Sequence, residues 1–157
     1  QIDEPWGQAR PEPARGYAIP AINRALQGIN GTTALHLCMG YAAMINDRPD
    51  HYHFLEELSE CTVDQISVET AQPNLDLSAL QPIADKTIIL GVINLDDMTV
   101  ESDQLVAKRI ERALEFVPPQ NIITAPDCGF KYVPRKIAYA KLKALVAGPR
   151  LVREKLS

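Results

Sequence analysis

His36 and Cys38 stand two residues apart in the segment Thr32–Tyr41, TTALHLCMGY. In an extended strand, residues i and i+2 point to the same face. The imidazole and the thiol then lie side by side, with Leu35 and Leu37 on the other face. An imidazole and a thiolate so placed are half of a zinc site. The other half has candidates at the ends of two later strand-like runs: Glu69 in QISVETAQ and Cys128 in IITAPDCGF. A His/Cys/Glu/Cys set would bring three negative charges to an ion carrying two. Such an electron-rich zinc is a poor Lewis acid toward water but suits a thiol. It lets the sulfur lose its proton near neutral pH and stay nucleophilic. Catalysis of this kind also needs an exchangeable coordination position.

Each residue has a plainer reading as well. Buried cysteines are usually small hydrophobes. Glu69 alone fits an N-cap or a salt-bridge partner, and P-D-C-G alone fits a turn. What favours an ion is that all four residues fall at the same end of successive strands. Asp127 is either a partner orienting a ligand or a turn residue, and the turn is the simpler reading. Tyr41 either lines the pocket or caps the core. His51 and His53 share the i, i+2 spacing but diverge on an expected helix. Cys61, at a helix end, is expected to be packed.

Composition sets the frame. The chain has 157 residues, 46% of them hydrophobic, enough for one domain with a real core. The formal net charge of −4 leaves no basic footprint for nucleic acid. No apolar run approaches the roughly 20 residues of a membrane span. The three cysteines are too sparse for a disulfide scaffold and suit a reducing cytoplasm. The chain opens on Gln1 rather than Met, inside what reads as a strand end, so further residues are expected ahead of it.

The elements follow from periodicity. QIDEP reads as a strand running into a loop, and Trp6–Arg15, with prolines and both charge signs, as a surface loop. Tyr17–Gly28 carries Ile19, Ile22 and Leu26 at helical spacing. The His36/Cys38 strand follows. Pro49–Glu60 reads as a helix that Asp47 would cap, with Tyr52, Leu55 and Leu58 inward. Val63–Glu69 is a strand, Asn74–Ala84 a short helix or turn, and Lys86–Leu95 a strand covered on both sides. Val100–Val117 is amphipathic, with Leu105, Val106, Ile110, Ala113, Leu114 and Val117 on one face and a wet charged face of Lys108, Arg109, Glu111 and Arg112. Asn121–Ala125 is a strand. Pro134–Leu156 is a last helix, interrupted or kinked near Gly148–Pro149.

The rhythm is βα, repeated about five times, which implies a parallel sheet. Asp3, His36, Cys38, Glu69, Asp96 and Cys128 all fall at carboxyl ends of strands. A (β/α)8 barrel puts its active site there, and an open doubly wound sheet puts its ligands at the same edge. No G-x-G-x-x-G or P-loop follows any strand. A complete barrel takes about 250 residues, so five units in this length read as the back part of a TIM barrel.

The blocks QIDEP, LHLCMGY, DQISVET and NIITAPDCGF, in this order over nearly the whole chain, resemble the carboxy-terminal barrel of cobalamin-independent methionine synthase. The resemblance implies that His36, Cys38, Glu69 and Cys128 ligate Zn2+. It makes Asp3 a contact for the amino group of an amino-acid substrate. It implies methyl transfer from a methylated folate to the thiol of homocysteine, giving methionine. The chain departs from the family at two points. The front of the barrel is absent, so the segment alone is expected to be inactive or to pair with the missing half. And where many members carry D-I-H-S-P, it reads Asn94-Leu95-Asp96-Asp97-Met98. Asp96 takes the place of a histidine assigned to proton handling, and an aspartic acid donates there only with a raised pKa. Two other functions remain open: alkyl transfer to another thiol such as coenzyme M, and a non-catalytic zinc-binding module. The expected partners are the thiol and its methyl donor, with no nucleic acid and no membrane. Exposed edge strands of a part-barrel also favour self-association or pairing with the rest of the barrel.

Overall fold

The computed structural model describes residues 1–40, 51–53, 55–73 and 75–157. Tyr41, Asp47, Asn74 and the start of the helix expected over 49–60 lie outside the described residues. Five strands are present among the described residues: β1 (Ile2–Glu4), β2 (Ala34–Leu37), β3 (Gln65–Val68), β4 (Thr87–Ile93) and β5 (Ile122–Pro126). The α-helices are α1 (Trp6–Ala9), α2 (Pro11–Arg15), α3 (Ala18–Leu26), α4 (Asp103–Leu114) and α5 (Arg135–Leu156). Short 3-10 turns occupy Glu57–Glu60, Leu77–Ile83 and Pro119–Asn121.

Every neighbouring pair of strands is parallel, and the strands lie side by side in chain order. That order separates the two architectures left open by sequence. A doubly wound sheet changes its direction of growth part-way, so its spatial order departs from chain order. A barrel adds each strand beside the last. The chain is therefore a segment of a βα barrel. No helix among the described residues is long and apolar enough to cross a membrane.

Alternation along the strands sorts the side chains. Leu35, Leu37, Ile66, Val68, Ile88 and Leu90 are closed to solvent and belong to one apolar cluster. Val106, Ile110 and Ala113 of α4 and Ala144 and Val152 of α5 complete it. Each fully buried aliphatic side chain contributes about 1.5–3 kcal/mol through removal from water. The residues between them carry the polar row: Asp3 pairs with His36, and His36 with Ser67, across β1, β2 and β3.

Several expectations are corrected. Trp6–Arg15 is not a loop: it forms α1 and α2, with Pro11 at the first helical position of α2, where a missing N–H costs nothing. Glu4 caps α1, its carboxylate accepting from the N–H groups of Trp6 and Gly7. Within the described part of the 49–60 segment only Glu57–Glu60 is helical, as a 3-10 turn, although Tyr52, Leu55 and Leu58 are buried as expected. Leu105 is exposed rather than inward. The charged face of α4 is not simply wet: Arg109 donates to the Val92 carbonyl at 2.7 Å and to Glu101, and Arg112 reaches the Leu75 carbonyl. α5 runs unbroken through Pro149. A proline inside a helix costs about 3 kcal/mol. Here Gly148 and Pro149 are buried, and Gly148 lies so close to α4 that a methyl group on it would sit 2.5 Å from Val106 Cβ. Tight helix packing offsets the lost hydrogen bond.

Two buried features hold the carboxyl edge of the sheet. Lys141 of α5 is fully buried and donates to the carbonyls of Asn94 and Thr99 and to Glu101 at 2.9 Å. Glu101 in turn accepts from the Asn94 N–H. The β4–α4 loop is thereby fastened at both ends to one buried ion pair. Gly91 of β4 is the second feature. A methyl group there would lie 2.3 Å from Asp127 Oδ1 and 2.8 Å from the Val68 carbonyl oxygen.

Removing one partner of a buried ion pair typically costs about 3–5 kcal/mol, and Lys141→Met is expected to lose stability on that scale. Overpacking costs about 1–3 kcal/mol, and Gly91→Ala is expected to fall there or above. Urea unfolding measures both; midpoints equal to the parent's would contradict these assignments.

Candidate metal centre

His36 sits within β2, and Cys38 one residue beyond its end. Glu69 is the first residue after β3, and Cys128 follows β5 by two. Parallel strands in register bring these positions to one edge. One ligand atom from each of His36, Cys38, Glu69 and Cys128 lies within 4.8 Å of every other. The two sulfurs are 3.8 Å apart. Two thiolates bound to one tetrahedral zinc at about 2.3 Å would be separated by about 3.8 Å. Asp3, Asp96, His51 and His53 are not in the cluster.

The imidazole is prepared on one side and open on the other. His36 Nδ1 lies 3.0 Å from Ser67 Oγ. Nε2 is buried and has no hydrogen-bond partner among the described residues. The tautomer that donates from Nδ1 to Ser67 leaves the Nε2 lone pair for an ion, which is how metal-ligating histidines are usually oriented. An orphaned buried nitrogen facing two sulfurs and a carboxylate is the donor set zinc takes.

The carboxylate is held at both oxygens. Glu69 is wholly buried; Oε1 accepts from the Met39 N–H at 2.9 Å and Oε2 from the Gln72 side-chain amide at 3.0 Å. The Glu69 N–H donates to the Tyr52 hydroxyl at 2.7 Å, and that hydroxyl donates to the Leu37 carbonyl. Tyr52 thus ties the end of β3 to the end of β2.

Asp127 is more than a turn residue, and its carboxylate bonds to backbone rather than to the cluster's ligand atoms among the described residues. Its buried carboxylate accepts from three consecutive backbone N–H groups, those of Thr70, Ala71 and Gln72. The exit of β3, just past Glu69, is clamped to the residue before Cys128. The Thr70 hydroxyl adds a bond to the Gly91 carbonyl at 2.6 Å.

The charges in this corner work against one another. The Cys38 S–H donating to it holds the Cys128 thiol down at about 4, against the effect of burial, with the His36 ring helping. The same shared proton, with burial, pushes Cys38 up. Burial lifts Glu69 to about 7, with the charges of Asp127 and Cys128 adding to the shift against the Met39 N–H. Burial likewise lifts Asp127 to about 6 although three N–H groups oppose it. His36 is pulled down by burial but pushed up further by Cys128, Glu69 and Asp3, and ends raised. Buried acids with perturbed pKa values around an open lone pair mark a place where a cation lowers the energy.

Asp3 is exposed, one strand from His36 in the same row, and accepts from the Gln1 amide at 2.6 Å. Asp96 is exposed on the β4–α4 loop, where its N–H donates to Asn94 Oδ1. His51 and His53 do not diverge on a helix; their rings meet edge to face at 4.4 Å. Cys61 is buried, as expected. Sequence reasoning missed Ser67, Gln72, and the hydroxyl of Tyr52. Ser67 was within reach, since it alternates with Glu69 on the face of β3 that meets His36.

The sequence model of the family described as "Cobalamin-independent synthase, Catalytic domain" matches residues 15–149. The methionine synthase of Thermococcus kodakarensis is 33% identical over 158 residues, a match spanning 100% of this chain and 44% of that protein. The methionine synthase of Saccharolobus solfataricus is 35% identical, spanning 99% of this chain and 45% of its own length. A solved B12-independent methionine synthase from Shewanella sp. W3-18-1, in complex with selenomethionine, superposes with a TM-score of 0.89 at 25% identity. It covers 98% of this chain and 48% of its own. The chain thus spans less than half the length of these relatives. With most of its residues matched by the family and its strands in barrel order, the chain belongs to the catalytic-domain family of the cobalamin-independent synthases.

Proposed function

We propose that this chain is the carboxy-terminal part of a zinc-dependent methyltransferase barrel. The reaction moves a methyl group from a methylated folate to the thiol of homocysteine and forms methionine. The observation that carries this reading is the gathering of His36, Cys38, Glu69 and Cys128 at one point. These residues would hold zinc, which when bound supplies a Lewis acid that lets a substrate thiol ionise near neutral pH. The chain's own side chains supply the rest. Ser67 orients the His36 ring, and Asp127 sets the spacing between the Glu69 and Cys128 segments. Asp3, exposed in the row of His36, takes the ammonium of the amino-acid substrate. Asp96, on the loop fastened by Lys141, handles a proton at the same edge. The substrate thiolate attacks the methyl carbon in line; as the carbon–sulfur bond forms, the bond from that carbon to the folate nitrogen breaks, and the nitrogen leaves after taking up the proton that Asp96 handles.

Three observations support the choice of substrate and setting. The relatives are named methionine synthases. The solved relative was obtained with selenomethionine, the selenium analogue of the proposed product, which favours an amino acid over coenzyme M. Two ligating thiols suit a reducing compartment such as the cytoplasm. Among the described residues β1 and β5 bound the sheet, and the remaining strands of a barrel would pair with them there.

In the complete enzyme, Cys128→Ser is expected to reduce bound zinc well below one ion per chain and to abolish homocysteine methylation. Zinc stoichiometry equal to the parent's would sink the site, and turnover of another thiol without turnover of homocysteine would sink the substrate. Acidification gives a second test. Zinc must displace the proton that Cys38 and Cys128 share and, below about pH 7, the Glu69 proton too. Apparent affinity should therefore fall by about tenfold or more between pH 7 and pH 6, since each proton released adds one decade per unit. Chelator competition at the two pH values reads it, and a flat response would exclude these ligands.

A further inference from the structure

We propose that Gln72 is a positioning residue of the metal centre, one that joins the Glu69 carboxylate and the Cys128 segment into a single frame. The inference rests on the zinc reading above, and it concerns a residue that neither its type nor its spacing marks as a ligand.

Two contacts of Gln72 among the described residues point in different directions. Its side-chain Nε2 donates to Glu69 Oε2 at 3.0 Å. Its backbone N–H donates to Asp127 Oδ2 at 2.6 Å. Asp127 is the neighbour of Cys128 in the chain. A continuous path therefore runs from the carboxylate, through the Gln72 side chain and backbone, into Asp127 and on to the sulfur. The path closes the gap between the ends of β3 and β5, strands that are not neighbours in the sheet: β4 lies between them. No ladder hydrogen bond can set that spacing, so side chains must.

The amide also settles the carboxylate itself. A glutamate has three side-chain torsions, and the last is broad and weakly restrained. The Met39 N–H fixes Oε1 alone and leaves that torsion free to pivot. A second donor on Oε2 stops the pivot. Ordering the ligand before the ion arrives removes a cost that the ion would otherwise meet on binding. Glutamine suits the task because its amide donates without bringing charge to a corner already crowded with titrating groups.

Backbone and side-chain roles separate cleanly here. The bond to Asp127 comes from the main chain and survives any substitution other than proline. Gln72→Ala and Gln72→Leu therefore remove the carboxylate contact and leave the backbone bond to Asp127 in place, the second keeping most of the side-chain volume. Zinc affinity of the full-length protein, measured by competition with a chromophoric chelator, is expected to fall about 10- to 100-fold in both variants, the usual effect of losing a partner behind a ligand. The visible absorption of the cobalt-substituted forms should shift, while the unfolding midpoint of the metal-free protein stays at the parent's value. Parent-like affinity and cobalt spectrum in both variants would overturn the proposal. So would a fall in affinity matched by an equal loss of metal-free stability, which would mark Gln72 as a fold residue. A parent protein that binds no zinc would instead overturn the metal reading, and this one with it.

Discussion

Glu69 and Asp127 are carboxylates with no solvent exposure, and Cys128 beside them is an acid strengthened by its neighbours. Placing them in one corner sets solvation against fold. Burial disfavours each charged form, and each charge disfavours the next. The chain answers with fixed dipoles rather than with buried cations. Three N–H groups cover Asp127, and the Met39 N–H and Gln72 amide cover Glu69. These donors fix geometry but leave Glu69 and Asp127 weakened as acids. A divalent ion among the cluster's ligand atoms is the natural counterpart of that unspent charge.

The corner exists because of how the sheet grows. Parallel strands laid down in chain order point all their carboxyl ends the same way. Residues 36, 69 and 128, far apart in the chain, thereby arrive at one rim. β4 lies between β3 and β5, and Gly91 leaves its face clear there: where it lacks a side chain, the Asp127 carboxylate crosses over β4 to reach Thr70, Ala71 and Gln72. The small residue in the middle strand and the acid on the outer strand are two parts of one contact.

The opposite charge arrangement operates a few residues away. Lys141, Glu101 and Arg109 form an ion cluster whose hydrogen bonds go to the backbone of the end of β4 and of the β4–α4 loop. The β4–α4 loop, which carries the exposed Asp96, is tied to this ion cluster through Asn94 and Thr99. Helix packing supports it from behind, since α4 and α5 approach closely at Gly148.

Much of this was legible in the order of residues alone. Alternation of short apolar runs with helical periods determined the βα rhythm, because both periods are set by local backbone geometry. The ligand types and their positions after strands were also readable, since H-x-C and the residue closing a strand are local facts. The tertiary structure alone decided the rest. It chose sequential strand order over a doubly wound one, kept α5 whole across Pro149, and turned Asp127 from a turn residue into a clamp. Gln72, Ser67, Tyr52 and Lys141 gained their roles the same way. Each depends on a partner separated in the chain or brought into line by folding, and a hydrogen bond of a few ångströms between such groups leaves no period or spacing in the sequence for a reader to find.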